Sequence, residues 1–345
     1  MINDLKKEKI SLEVIRTLIS RFKQFPKAVG EDRNKLYYKI FLTSFSTNFD
    51  ENNIENSLDI SLSSWLHGLN TSLGQSFFEN IAHILSDGEK RSFNNEKILN
   101  KQSHNIASIM TELKNGEHLP NIARENNLIF NIKDATNKNA TNFTADVYYE
   151  EDDFIEAIEL KTVRPNSGEM KGEKQKILNG KAVLKNLHPD KNIYYYIGFP
   201  FDPFADSDFE YDKEKFKSNI IELEKYFDSD EILLSEELWD HLSGQKDTMK
   251  QIIDIINNIA TENFMDSYLF VKDHKNYYKN NDKYIEILQK WNLKRELEII
   301  KNIEKIISVC DKNKRLKRKL NQYIFDANDY YKVKRYNQLV STVKN

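Results

Sequence analysis

FTADVYYEEDDFIEAIELK, residues 143–161, decides the fold. It reads as two strands joined by an acidic turn. The first run, Phe143 to Tyr149, carries Asp146 among β-branched and aromatic residues; the second, Phe154 to Val163, alternates apolar and charged positions. Residues two apart on a strand project from one face, so Glu159 and Lys161 point together. A partner strand can bring Asp146 opposite them. Two carboxylates and a lysine then converge. Such carboxylates repel unless a divalent cation sits between them, and hard oxygen ligands with water left in the shell suit Mg²⁺. A metal there polarises a phosphoryl oxygen and lowers the pKa of a bound water, while the lysine holds that water or stabilises growing charge. The same trio is also common on any half-solvated sheet, so by itself it leaves ordinary sheet surface open.

Asp146, a short gap and Glu159-Leu160-Lys161 resemble the bipartite motif of the PD-(D/E)xK nucleases, with Ala145 where that motif often has proline, a departure the family tolerates. The longer run ELKTVRPNSGEMKGEKQKIL, residues 159–178, together with SLGQSFFENIAHIL, residues 72–85, resembles the type II restriction endonucleases that cut GGNCC. The resemblance extends from about Ser57 to Phe270. It implies an α/β fold, a mixed central sheet flanked by helices, with large helical additions. It further implies Mg²⁺ held by Asp146, Glu159 and the Leu160 carbonyl, Lys161 positioning or activating water, and Glu79 as a further acid on a helix packed against the sheet. A palindromic site implies a homodimer, with two copies of one active site about a two-fold axis. A cognate DNA methyltransferase is expected in the host.

The stretch after Lys161, Thr162-Val163-Arg164-Pro165-Asn166-Ser167-Gly168, reads as a turn that can lie along a phosphate backbone, followed by a helix from Glu169 to Leu187 with lysines over its surface. Arg164, Asn166, Lys171 and Lys174 are the candidate DNA contacts. Tyr194 to Phe199 reads as a buried strand stopped by Pro200 and Pro203. Upstream, helices are expected at residues 4–24, Asn34–Ser44, Ser61–Leu69, Leu73–Leu85 and Asn95–Asn115, with loops at 48–61 and 117–142. Downstream, helices are expected at Lys213–Phe227, Ser235–Leu242, Asp247–Thr261 and Asn281–Cys310, with a short strand at Glu231–Leu234. Three regions follow: a helical 1–56, a nuclease core 57–212, and a helical 213–345 packed on that core.

The 345 residues are 39% hydrophobic and 30% charged with a net charge of −3, which suits a globular protein and does not advertise DNA binding. Charge distribution matters more than the sum. KNKRLKRKLNQYIFDANDYYKVKRYN, residues 312–337, is the most basic stretch, with tyrosines interleaved; it can grip nucleic acid or be a solvated terminal helix. One cysteine, Cys310, excludes an internal disulfide and a thiolate zinc site, and the seven histidines have no metal-ligand spacing. No apolar run is long enough to span a bilayer and no signal-peptide core is present, which reads as cytoplasmic. Beside the DNA endonuclease stand a catalytically silent helical binding or assembly protein, and a repair or RNA nuclease of the same fold.

Overall fold

The computed structural model of the chain describes residues 1–24, 57–161, 168–205 and 210–344. The expected helix at Asn34–Ser44 lies outside them, as do Arg164 and Asn166. A five-stranded mixed sheet is ordered β1-β4-β5-β6-β7, where β1 is Glu89–Phe93, β4 Phe143–Glu150, β5 Phe154–Leu160, β6 Asn192–Phe199 and β7 Ile232–Leu234. A separate antiparallel pair is formed by β2 (Lys97–Leu99) and β3 (Asn137–Asn139). Neighbours β1, β4 and β5 are antiparallel, while β5, β6 and β7 are parallel. The turn between β4 and β5 closes with the Glu151 amide donating to the Phe154 carbonyl at 2.9 Å.

Central strand β5 is buried on both faces from Ile155 to Glu159, so two of its glutamates are taken out of water with the apolar residues. Buried charges need partners, and the site is built from those partners. Register places Ala157 between Tyr148 and Tyr195, and Glu159 beside Ile197. Over this face lies the expected helix Glu169–Leu187, burying Ile177, Leu178, Ala182 and Val183 against Phe93, Phe143, Ile155 and Tyr195. Each of the larger of these, Ile177, Leu178 and Val183, contributes about 1.5–3 kcal/mol on burial. Gly180 makes the approach possible: a Cβ there would stand 2.5 Å from Tyr195 Cε1.

In chain order the helices are α1 (Asp4–Lys23), α2 (Ser57–Ser72), α3 (Phe78–Ser86), α4 (Asn100–Asn115), α5 (Ile122–Phe130), α6 (Glu169–Leu187), α7 (Lys213–Asn219), α8 (Leu223–Tyr226), α9 (Glu236–Ser243) and α10 (Thr248–Ile259). They continue as α11 (Phe264–Lys272), α12 (Asn281–Lys290), α13 (Lys294–Lys301), α14 (Ile303–Lys312), α15 (Lys314–Leu320) and α16 (Val333–Lys344). Several differ from expectation. The helix expected at Leu73 opens as a π turn, Leu73–Phe77, before α3. Lys97–Leu99, read as part of a helix from Asn95, form β2 instead, and the loop read at 117–142 contains α5, capped by the Asn121 side chain accepting from the Arg124 amide. The single helix expected at Lys213–Phe227 breaks where Glu222 takes φ 63°, and that at Asn281–Cys310 where Asn292 takes φ 54°, a left-handed conformation asparagine tolerates. Helix α2 begins at Ser57, inside the stretch read as loop.

The chain divides into two compact units, one of Met1–Ile2 with Phe78–Gln251 and one of Asn3–Phe77 with Ile252–Asn345. The first contains the sheet. The second is helical in its described residues and holds its own apolar cluster, including Ile299, Ile306, Cys310 and Leu339. Among the described residues no helix is long and apolar enough to cross a membrane.

Candidate active site

Asp146 owes its position to an irregularity in β4. Between the pairs Glu89↔Tyr148 and Arg91↔Ala145, β1 advances two residues while β4 advances three, so β4 carries one extra residue beside Asp146. A bulge of this kind re-aims a side chain. His83 of α3 fixes it from behind, its Nε2 donating to the Asp146 carbonyl at 2.7 Å. The paired register of β4 with β5 runs only as far as Val147↔Ile158. Beyond it the Asp146 side chain takes over, Oδ2 accepting from the Leu160 amide at 3.0 Å.

Glu159 and Lys161 project from β5 and its end toward α6. Lys161 Nζ lies 3.0 Å from Glu159 Oε1, 2.9 Å from Glu173 and 3.9 Å from Glu169. The other Glu159 oxygen is bonded by Lys176. Glu79 on α3 is joined to Asp146 through Lys90 of β1, whose Nζ is 2.8 Å from Glu79 and 3.3 Å from Asp146 Oδ1. The structure thus brings together Asp146, Glu159, Lys161 and Glu79, with Leu160 drawn in by its amide.

Burial, then the repulsion of Asp146, raises the Glu159 carboxyl to about 7 against the pull of Lys161 and Lys176. Burial opposes the charge on Lys161, yet Glu159 and Glu173 outweigh it and raise the ammonium above its ordinary value. The hydrogen bond to Glu79, with Asp146 adding, raises Lys90 likewise. Five carboxylates, Glu79, Asp146, Glu159, Glu169 and Glu173, stand against three ammoniums, Lys90, Lys161 and Lys176, a formal charge of −2 for the cluster. Glu173 Oε2 is buried with no hydrogen-bond partner among the described residues. A divalent cation fits such a donor set by charge and by hardness. Among the described residues no three acidic, His or Cys side chains already stand as a metal cage; lysines lie between the carboxylates.

A family model described as type II restriction endonuclease, HinfI, matches residues 1–260. The chain belongs to this family. It is also 43% identical over 347 residues to the type II restriction enzyme MjaII of Methanocaldococcus jannaschii, covering 94% of this chain and 93% of that one. A type II restriction endonuclease is therefore the setting in which the acidic cluster is placed.

Two sequence expectations at α6 part company. Lys171 is half-exposed and open to solvent. Lys174, expected on DNA phosphate, is fully buried, 2.6 Å from Glu125 and bonded to Glu231; with Lys181, 2.8 Å from Glu231, it belongs to an internal ion cluster. That corrects its assignment. Lys90, Lys176, Glu173, Glu169 and His83 do not stand out in the sequence as site residues. Nor does Tyr195, whose buried hydroxyl has no partner among the described residues and is raised by burial and then by Glu159, Asp146 and Glu173. A signal exists for α6: Glu169, Glu173 and Lys176 recur at helical spacing on one face. None exists for Lys90, four residues past the end of α3 on a short strand of mostly exposed residues.

Proposed function

We propose that this endonuclease hydrolyses phosphodiester bonds of double-stranded DNA in a Mg²⁺-dependent reaction, at a short two-fold-symmetric site for which GGNCC is the candidate. The observation that carries it is the convergence of Asp146 and Glu159, thirteen positions apart, at a bulge where burial and then carboxylate repulsion raise Glu159 to about 7. Groups separated that far are set side by side against their mutual repulsion, which favours a bound cation as the resolution.

Asp146, Glu159 and the Leu160 carbonyl are the residues that would hold Mg²⁺. When bound, the ion supplies charge to the phosphoryl oxygens and acidity to a water. The chain's own groups do the rest. His83 and the bulge hold Asp146 in place. Lys161, kept cationic by Glu159 and Glu173, orients the attacking water and faces the charge that builds on the phosphate. Glu79, through Lys90, sets the orientation of Asp146. Lys171, half-exposed on α6, and Arg164 and Asn166, which lie outside the described residues, are the residues that would bind the DNA backbone or its bases.

Cutting both strands of a symmetric site is met most simply by a homodimer, with a methyltransferase protecting the host's own copies of the site, in the cytoplasm. The test is digestion of a sequenced plasmid and mapping of the ends. With Mg²⁺ the wild type should cut at one short symmetric site and Asp146→Ala should not. Cutting by Asp146→Ala at the wild-type rate contradicts the assignment. Light scattering should find a particle near twice the 40.7 kDa chain mass.

A further inference from the structure

The most concentrated charge in the chain belongs to the helical unit. Six of the eight residues Lys312–Lys319 are basic and none is acidic, in a chain whose net charge is −3. The segment is outside residues 1–260 that match the family model. Its local structure sorts the residues. Leu316 packs on the apolar cluster and Leu320 is buried in it, four positions apart on one side of α15. The Asn313 side chain caps the helix, accepting from the Arg315 and Leu316 amides. What remains outward is cationic: Lys314, Arg315 and Arg318 are exposed and make no ion pair with any described residue, while Lys317 is held 3.0 Å from Asp311.

Another cation of this unit stands over aromatic rings. Lys272 lies 5.6 Å from the ring centroid of Tyr323, which is 53% exposed, so a cation and an outward aromatic share the surface. Burial, then Arg335, lowers the ammonium of Lys332; Asp326 opposes them, and Lys319 and Lys272 add smaller repulsions. A merely solvated helix would intersperse both signs.

We infer that the outward face of α15, carrying Lys314, Arg315 and Arg318, is a sequence-independent binding surface for the phosphate backbone of duplex DNA. This rests on the nuclease reading and extends it: the surface adds affinity and salt dependence without reading bases. Substituting K314Q, R315Q and R318Q together should leave the fold intact, because these side chains are exposed and unpaired. The experiment uses the full-length chain, metal-free so that DNA stays uncut, titrated onto a labelled duplex containing the mapped site over a series of salt concentrations, with the same duplex carrying a scrambled site as comparison. The expected result is a salt dependence of log K reduced by about 0.9 for each phosphate that is no longer neutralised, hence by up to about 2.7, equally on both duplexes. The charge-conserving double variant R315K, R318K should keep the wild-type slope. Unchanged affinity and slope in a triple variant that still cuts DNA overturns the surface and leaves the nuclease standing. A reduced slope on the cognate duplex alone overturns the sequence-independent role. A wild-type chain that neither binds nor cuts duplex DNA overturns both readings.

Discussion

Glu231 and Glu159 are both buried glutamates with an ammonium on each oxygen, yet their carboxyls move in opposite directions. Lys174 and Lys181 flank Glu231; Lys176 and Lys161 flank Glu159. Burial opposes ionisation of Glu231, but Lys181 and Lys174 overcome it and hold the carboxyl at about 2. At Glu159 burial and Asp146 prevail, and the carboxyl rises to about 7. The number of lysines is the same. What differs is the surrounding acid: the first cluster sets Glu125 and Glu231 against two lysines and is neutral, whereas the second sets five carboxylates against three. A closed ion cluster holds a fold together. An open, acid-rich one is poised for a further cation.

The largest expected effect lies in the acid-rich cluster. Asp146→Asn, Glu159→Gln and Lys161→Ala should each lower the rate of duplex cleavage by more than about a thousandfold, or roughly 4 kcal/mol, while DNA affinity changes little. Single-turnover cleavage and a parallel binding assay check this. Loss of binding equal to the loss of rate would move these residues from chemistry to recognition.

Next comes the neutral cluster. Glu231→Gln leaves two buried lysines without their shared carboxylate and should destabilise the protein by about 3–5 kcal/mol in urea unfolding. No such loss is expected for Glu159→Gln. Equal losses at both positions would erase the distinction between the clusters.

Their pH responses should differ in sign. The Glu159 carboxyl is raised in the folded chain from 4.5 to about 7, so its contribution to metal-free stability is present below pH 4.5 and lost as pH rises through about 7, on the order of 3 kcal/mol in all. Glu159→Gln should remove that fall. The Glu231 carboxyl is depressed to about 2, so its contribution is present above pH 4.5 and lost as pH falls toward 2. Unfolding curves for both variants at several pH values test the two signs. The smallest effect is expected of Lys171→Gln: a salt slope of DNA binding reduced by about 0.9, with cleavage otherwise unchanged.

The sequence makes the centre of the site legible and leaves its rim illegible, for physical reasons. Strands β4, β5 and β6 and helix α6 alternate or repeat strongly enough to be read, and the ELK spacing fixes which face Glu159 and Lys161 share. Strand β1 is short, at the sheet edge, and buries only Phe93, so EKRSF shows no alternation and nothing marks Lys90. Lys174, Lys176 and Lys181 look alike in sequence. Lys174 and Lys181 are seven positions apart and share the buried face of α6 with Ile177 and Leu178, a pattern readable in principle. Their partner Glu231 is 50 or more residues away, so nothing local says that a lysine there can be satisfied. Glu159 and Asp146 carry no local mark of the bulge that brings them together.

The most direct measurement of the difference between the clusters is calorimetric titration of Ca²⁺, which binds oxygen ligands without supporting turnover, into the protein bound to its cognate duplex. Just below neutral pH, saturable binding with net release of protons is expected, because the ion displaces the proton that Glu159 holds there. The same titration should give neither binding nor proton release in Asp146→Asn, and should be unaltered in a variant of the neutral cluster that remains folded, Lys181→Met. Equal binding and equal proton release by wild type and Asp146→Asn would contradict the assignment of a cation to this cluster.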